Sequence, residues 1–168
     1  SMGHAMARNL LKAGHEVRGF DVRAAAMTQF EKDGGSAAAT PAQAADGADL
    51  LVVVVFTAAQ AEQVLFGTDG ALQTLAKGTT VLMHTTLSPA QAQAFEAKLS
   101  ATGHLFVDAP VTGGSIGADE GTLTFIASGS AAAMSAARPV MQVMGAKIAE
   151  CGDHAGPGST VKMINQMM

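Results

Sequence analysis

Apolar and polar positions follow two rhythms along this chain, one of helices and one of buried strands. Met2, Met6, Leu10 and Ala13 recur at helical spacing and line one face, and Gly14 follows where helices commonly stop. Residues 50–56, Leu-Leu-Val-Val-Val-Val-Phe, are apolar throughout and mostly β-branched. That is the mark of a strand covered on both faces, as in a parallel sheet. Between them, 15–21 predicts a short strand ending on an acid, and 24–33 a helix stopped by Gly34-Gly35. A short strand is expected at 36–39, then a helix at 41–45 with Thr40 as N-cap and Pro41 in the first turn.

The alternation continues. Helices are predicted at 58–65 and 71–75, a strand at 79–85, and a helix opening at Ser88-Pro89 and running to 99. Strands follow at 105–109 and 123–127, a helix at 131–144 and a short strand at 147–149. Strand and helix in turn, joined by short links, predict a parallel α/β domain. No fixed-period repeat or low-complexity linker interrupts it.

Composition narrows the function classes. A chain of 168 residues is about one domain, and its 48% apolar content is ample for a packed core. Only 14% of residues are charged, which suits buried strands better than a disordered tail. The net charge is −4, there is no basic run, and Trp and Tyr are absent, so nucleic acid is not an expected partner. No apolar run reaches membrane-spanning length and no signal-peptide pattern follows Ser1, so no membrane partner is expected. Cys151 is the single cysteine, which rules out an internal disulfide and fits a reducing, cytoplasmic setting. His4, His15, His84, His104 and His154 lack metal-ligand spacing, and no metal is expected.

Chemistry enters near the end of the chain. Gly156-Pro157-Gly158 runs into a helix for which Ser159 is the expected N-cap. Lys162 and Asn165, three residues apart, share a helical face. An ammonium group can exchange a proton with an alcohol or carbonyl oxygen, and an amide can orient the molecule that carries it. Taken alone, the stretch fits an ordinary surface lysine on a helix better. Gly3 precedes Asp21 by nearly the spacing that separates the last glycine of a dinucleotide-binding loop from its ribose-binding acid. Asp21 also fits a plain turn at a strand end. Thr112-Gly113-Gly114 follows a strand, where glycines let backbone N–H groups approach an anion, or simply make a turn. Asp108 is read as holding a loop.

Four blocks, in order, resemble the β-hydroxyacid dehydrogenase family of 3-hydroxyisobutyrate dehydrogenase-like enzymes. Ser1-Met2-Gly3 with Met6-Ala7 and Asn9-Leu10 resembles the end of its cofactor loop and its first helix. Thr85-Thr86 with Ser88-Pro89 resembles its nicotinamide-side loop, Asp108 to Gly114 its substrate loop, and Gly156 to Asn165 its catalytic helix. Thr112 stands where serine is commoner, and Gln166 where a second asparagine is frequent. Both departures resemble the L-threonate dehydrogenase-like subgroup, which implies a polyhydroxylated acid.

The resemblance implies a doubly wound, mostly parallel Rossmann-type sheet whose first strand lies outside these residues. Positions 17–20 and 50–56 would then lack a neighbour between them, at about 1–3 kcal/mol per unpaired buried group. It implies a dinucleotide-binding domain at 1–158, the start of an interdomain helix at 159–168, and an all-helical second domain and homo-oligomer interface beyond. By the same resemblance, the cofactor is NAD, or NADP if Arg23 meets the extra phosphate. It lies over Ser1, Met2 and Gly3, with its ribose on Asp21 and its middle along Val55, Phe56 and Gln60. Thr86 would stand near the nicotinamide ribose, unless it is a turn or capping hydroxyl. The substrate, a small hydroxy acid, would meet Thr112, Gly113, Gly114, Asn165 and Gln166, with Lys162 as general acid/base. The expected activity is hydride transfer between NAD(P) and the hydroxyl-bearing carbon, although these residues alone, with half a pocket, would turn nothing over. The alternatives are a non-catalytic dinucleotide-binding scaffold or sensor, and an imine reductase. The retained Lys162 argues for the dehydrogenase.

Overall fold

The computed structural model describes residues 1–167. The chain opens with helix α1 (Met2–Lys12), capped by the Ser1 hydroxyl, which accepts from the His4 N–H. Strand β1 (Arg18–Gly19), helix α2 (Ala24–Lys32), strand β2 (Ser36–Ala37) and helix α3 (Pro41–Ala45) follow. Thr40 caps α3 through the Gln43 N–H, with Pro41 in the first turn, as the sequence predicts. Next come β3 (Leu50–Val53), α4 (Ala58–Phe66), a 3₁₀ turn at Ala71–Gln73, β4 (Thr80–Met83), α5 (Pro89–Ala101) and β5 (Leu105–Asp108). The chain then forms β6 (Val111–Thr112), α6 (Gly114–Glu120), β7 (Leu123–Gly129), α7 (Ala131–Met144), β8 (Gly145–Gly152) and α8 (Pro157–Met167).

The central sheet is mixed. Strands β3, β4 and β5 run parallel, with Val53, Met83 and Asp108 in register at their carboxyl ends. Strand β7 is antiparallel to β5 and then to β6, and parallel to β8. Apolar residues alternate between the two faces. Leu82, Val107, Phe125 and Ala127 pack on one side against Ala5, Met6 and Leu10 of α1 and Ala133, Met134, Ala137 and Met141 of α7. Val53, Val81, Met83 and Phe106 pack on the other against Ala61 and Leu65 of α4 and Ala92, Phe95 and Leu99 of α5. The sheet is thus wound on both faces.

Several strands are shorter than the apolar pattern predicts, because a strand lasts only as long as its hydrogen-bonded partner. The 50–56 run is laddered to β4 only through Val53, and the Val55 N–H turns to the Thr85 hydroxyl instead (3.2 Å). β1 has only β2 beside it. Among the described residues no strand joins β1 to β3, so the small β1–β2 sheet stands apart from the large one.

Candidate active site at the carboxyl edge of the sheet

Because β3, β4 and β5 are parallel and in register, the segments after Val53, Met83 and Asp108 leave the sheet at one edge. In open α/β sheets this edge is where ligands bind. Helix α1 starts there too: a Cβ added to Gly3 would lie 3.4 Å from the Val54 Cβ. Helical geometry leaves the Met2 and Gly3 N–H groups without an intrahelical acceptor, and the helix dipole adds positive potential. Asp21 follows β1. Its carboxylate accepts from the Arg23 N–H (2.9 Å), Nε (3.1 Å) and Nη2 (3.0 Å). The Arg23 guanidinium hydrogen bonds hold the Asp21 carboxyl below its usual pKa, against a smaller upward push from burial.

Other expected contacts have local jobs. Val55 is half-buried and Phe56 is 91% exposed, an unusual position for a large apolar ring. Gln60 is exposed, and its Oε1 accepts from the N–H groups of Phe56 (2.9 Å) and Thr57 (3.1 Å), closing a capping box with Thr57 at the start of α4. The next turn is pinned by Thr85, buried, and not by Thr86. Thr86 is exposed and caps nothing; Ser88 caps α5, so the capping alternative for Thr86 does not hold.

Thr112 ends β6 and is half-buried. Gly113 (φ +126°) and Gly114 (φ +62°) then turn the chain into α6 through a region where a side chain is strained. The turn and helix are tied to α1. Asn9 Nδ2 donates to the Ala118 carbonyl (2.7 Å), and Arg8 pairs with Asp119 (2.9 Å).

Helix α8 carries Lys162, half-buried, with Asn165 and Gln166 exposed farther along. Ser159 is not its N-cap. The helix starts two residues earlier at Pro157, and Ser159 lies in the first turn, buried. The cap comes from the sheet. Asp108 Oδ2 accepts from the N–H groups of Ser159 (2.9 Å) and Gly156 (3.2 Å), and Oδ1 accepts from the Ser159 hydroxyl (2.7 Å). Ser128 Oγ accepts from the Gly158 N–H (2.9 Å). Asp108 therefore seats a helix instead of holding a loop. The capping role of Asp108, and Ser128 altogether, were not legible in the sequence because their partners lie 51 and 30 residues away. The G-x-G before the lysine was the one legible sign of a close approach.

The chain matches, over residues 1–152, the family model described as the NAD binding domain of 6-phosphogluconate dehydrogenase. It belongs to this family of NAD-binding domains. L-threonate dehydrogenase from Cupriavidus necator is 37% identical over 168 residues, all of this chain and 57% of that protein. The crystal structure of 3-hydroxyisobutyrate dehydrogenase from Salmonella typhimurium superposes with a TM-score of 0.94 at 38% identity, covering 99% of this chain and 58% of that one. A Mycobacterium tuberculosis 3-hydroxyisobutyrate dehydrogenase structure with L-serine gives a TM-score of 0.92 at 34% identity, over 99% of this chain and 56% of that one. The chain thus spans about half the length of these relatives, and resembles the β-hydroxyacid dehydrogenases along all of its own.

As an NAD-binding domain it has residues that suit the dinucleotide: free N–H groups at the head of α1, and an ionised Asp21 beyond β1. Two concavities, of about 270 and 360 Å³, lie elsewhere, between α4 and α5 and around Arg138 and Lys147. Neither concavity is lined by the expected cofactor or substrate residues, and neither touches the head of α1 or Lys162. Among the described residues no group of three His, Cys, Asp or Glu could hold a metal ion. No described helix is long and apolar enough to cross a membrane.

Proposed function

We propose that this domain is the cofactor-binding half of an NAD-dependent hydroxyacid dehydrogenase, with a small hydroxy acid of the 3-hydroxyisobutyrate or L-threonate type as substrate. The observation that carries the reading is the seat of α8. The strand that leads into Thr112-Gly113-Gly114 also anchors, through Asp108, the helix that bears Lys162. A loop suited to a carboxylate and a helix bearing an ammonium group are thus built on one strand end. When bound, NAD supplies the hydride acceptor. The residues of the chain do the rest.

In this reading the α1 N-terminus binds the diphosphate, with Ser1, Met2 and Gly3 at its head. Asp21 accepts from the ribose hydroxyls, and its charge disfavours a 2′-phosphate, so NAD is preferred to NADP. Val55, Phe56 and Gln60 border the cofactor's middle, and the free hydroxyl of Thr86 faces the nicotinamide side. Thr112, Gly113 and Gly114 hold the substrate carboxylate through hydroxyl and N–H groups. Asn165 and Gln166 orient the substrate. The Lys162 amine takes the hydroxyl proton as the carbon beside it gives up hydride, and the ammonium so formed returns it in the reverse direction. The boundary of the domain near 158, residence in the cytoplasm and a homo-oligomeric assembly belong to the same proposal.

The test uses the intact protein, with L-threonate, 3-hydroxyisobutyrate and L-serine offered in turn with NAD and NADP. One of the three is expected to be oxidised. Lys162→Met is expected to lower its kcat by about 10²- to 10⁴-fold, the usual worth of a general acid/base, while the NAD dissociation constant stays within about twofold. An unchanged kcat in that variant would remove Lys162 from the mechanism. Silence across the panel, with tight NAD binding, would replace the enzyme by a dinucleotide-binding scaffold or sensor.

A further inference from the structure

Asp108 is fully buried and far costlier than the cap it provides needs to be. A serine or asparagine at the helix's own start caps an N-terminus without burying a charge. Here the start is Gly156-Pro157, which offers no side-chain acceptor, and the acceptor comes from β5. Its three hydrogen bonds, at 2.9, 3.2 and 2.7 Å, use both carboxylate oxygens. Pro157 has no N–H to satisfy. The remaining first-turn donor, the Gly158 N–H, goes to Ser128 on β7 (2.9 Å). Every backbone N–H of residues 156–159 thus ends on one of two adjacent strands.

The same strand end goes on to the substrate loop. Four residues after Asp108 come Thr112, Gly113 and Gly114, held to the sheet where the Ile126 N–H donates to the Pro110 carbonyl (2.9 Å) and β6 pairs with β7. On the other side of the clamp, Lys162 lies three residues after Ser159, about one helical turn on. We propose that Asp108 is a positioning residue: with Ser159 it fixes the catalytic helix against the substrate loop, so that the Lys162 ammonium and the bound hydroxyl keep one geometry. This rests on the role given above to Lys162. A charge placed at a helix N-terminus also complements the dipole. Its two-oxygen grip sets both the height and the rotation of the helix, which a single bond cannot do.

The experiment compares Asp108→Asn, Ser159→Ala and the double variant in the intact protein, on whichever of L-threonate, 3-hydroxyisobutyrate or L-serine it oxidises fastest. Asparagine keeps the shape but leaves one amide nitrogen facing donors. A misplacement near 1 Å can cost about a hundredfold in rate. The expected result for Asp108→Asn is a fall in kcat of about that size, with KM and the NAD dissociation constant within about threefold. The variant should show a primary isotope effect on kcat, with deuterium on the hydroxyl-bearing carbon, at least as large as that of the parent. Ser159→Ala should give a smaller fall of the same kind, and the double variant no more than Asp108→Asn alone, since both act through one contact. If Asp108→Asn does not fold, Ser159→Ala decides by the same split. An unchanged kcat would overturn the proposal, as would parallel losses in kcat and NAD binding, the mark of a merely structural role. Lys162→Met separates the two claims. If it abolishes turnover while the Asp108 and Ser159 variants do not, only the positioning role fails. If it leaves turnover intact, both fall.

Discussion

Asp21 meets Arg23 before it meets any ligand. The guanidinium grips both carboxylate oxygens, at 3.1 Å through Nε and 3.0 Å through Nη2, and keeps the group ionised. The carboxylate still has lone pairs to offer a ribose, and its charge repels a 2′-phosphate. Asp21→Asn is therefore expected to weaken NAD by about tenfold, the low end of what a hydrogen bond to a charged group contributes. It should weaken NADP less, because the repulsion goes and Arg23 is released toward the phosphate. Titration calorimetry with both cofactors checks this, and an unchanged ratio between them would remove Asp21 from cofactor selection. The spacing of Gly3 and Asp21 marked the two as candidates in the sequence. The ion pair with Arg23 was not legible there, because two residues at a strand end can point either way until the turn is built.

At the scale of elements, α8 sits closer to the sheet than any side chain at 158 allows. A Cβ on Gly158 would lie 2.6 Å from the Ile126 carbonyl oxygen and 2.9 Å from that of Asp108. Both belong to laddered strands and cannot rotate away. Gly158→Ala is expected to cost about 2–3 kcal/mol in urea denaturation, near the upper range for overpacking, and to lower turnover by shifting Lys162. Gly3→Ala, whose Cβ would meet only Val54 at 3.4 Å, is the contrast: its stability should change by less than about 1 kcal/mol. Helices were the most legible elements. The bounds of α7 and α3 stand as predicted, α3 from Thr40 as its cap and Pro41 in its first turn, and the structure adds Ser130 as the cap of α7. Helix α6 was missed because 113–121 is rich in glycine and lacks an apolar stripe, and its helix forms against α1 through Asn9 and Arg8. The antiparallel course of β7 was also hidden. An apolar strand covered on both faces reads the same in either direction, and only its pairing with β5 and β6 fixes which way it runs.

The whole domain is built on a six-stranded sheet with an apolar core on each face, and that architecture sets how it responds to acid. His84 lies at the end of β4, 4% exposed, its ring 4.9 Å from that of Phe125. Nδ1 donates to the Ala109 carbonyl (2.6 Å), so that nitrogen carries the proton, and Nε2 has no partner among the described residues. Burial lowers the His84 pKa to about 4, against a smaller upward push from the Ala109 bond. The unfolded chain binds this proton near pH 6.5 and the folded one only near 4, so stability rises with pH across that window and is lost as pH falls through it. The loss from this group alone between pH 7 and pH 5 is about 2 kcal/mol. Asp108 works the other way, since burial raises its pKa and protonation there favours the folded state. Asp21 and Asp33, held low by Arg23 and His4, lose their contribution only at more acid pH. A pH series on the parent protein therefore mixes several signs, and the informative quantity is a difference. His84→Asn keeps an amide N–H near the position of Nδ1–H and removes the titration, leaving Asp108, Asp21 and Asp33 unchanged. Urea denaturation at pH 7 and pH 5 should show the variant losing about 2 kcal/mol less than the parent on acidification. Equal losses in the two proteins would mean that His84 takes up its proton in the folded state as readily as in water, and that this face of the sheet admits solvent.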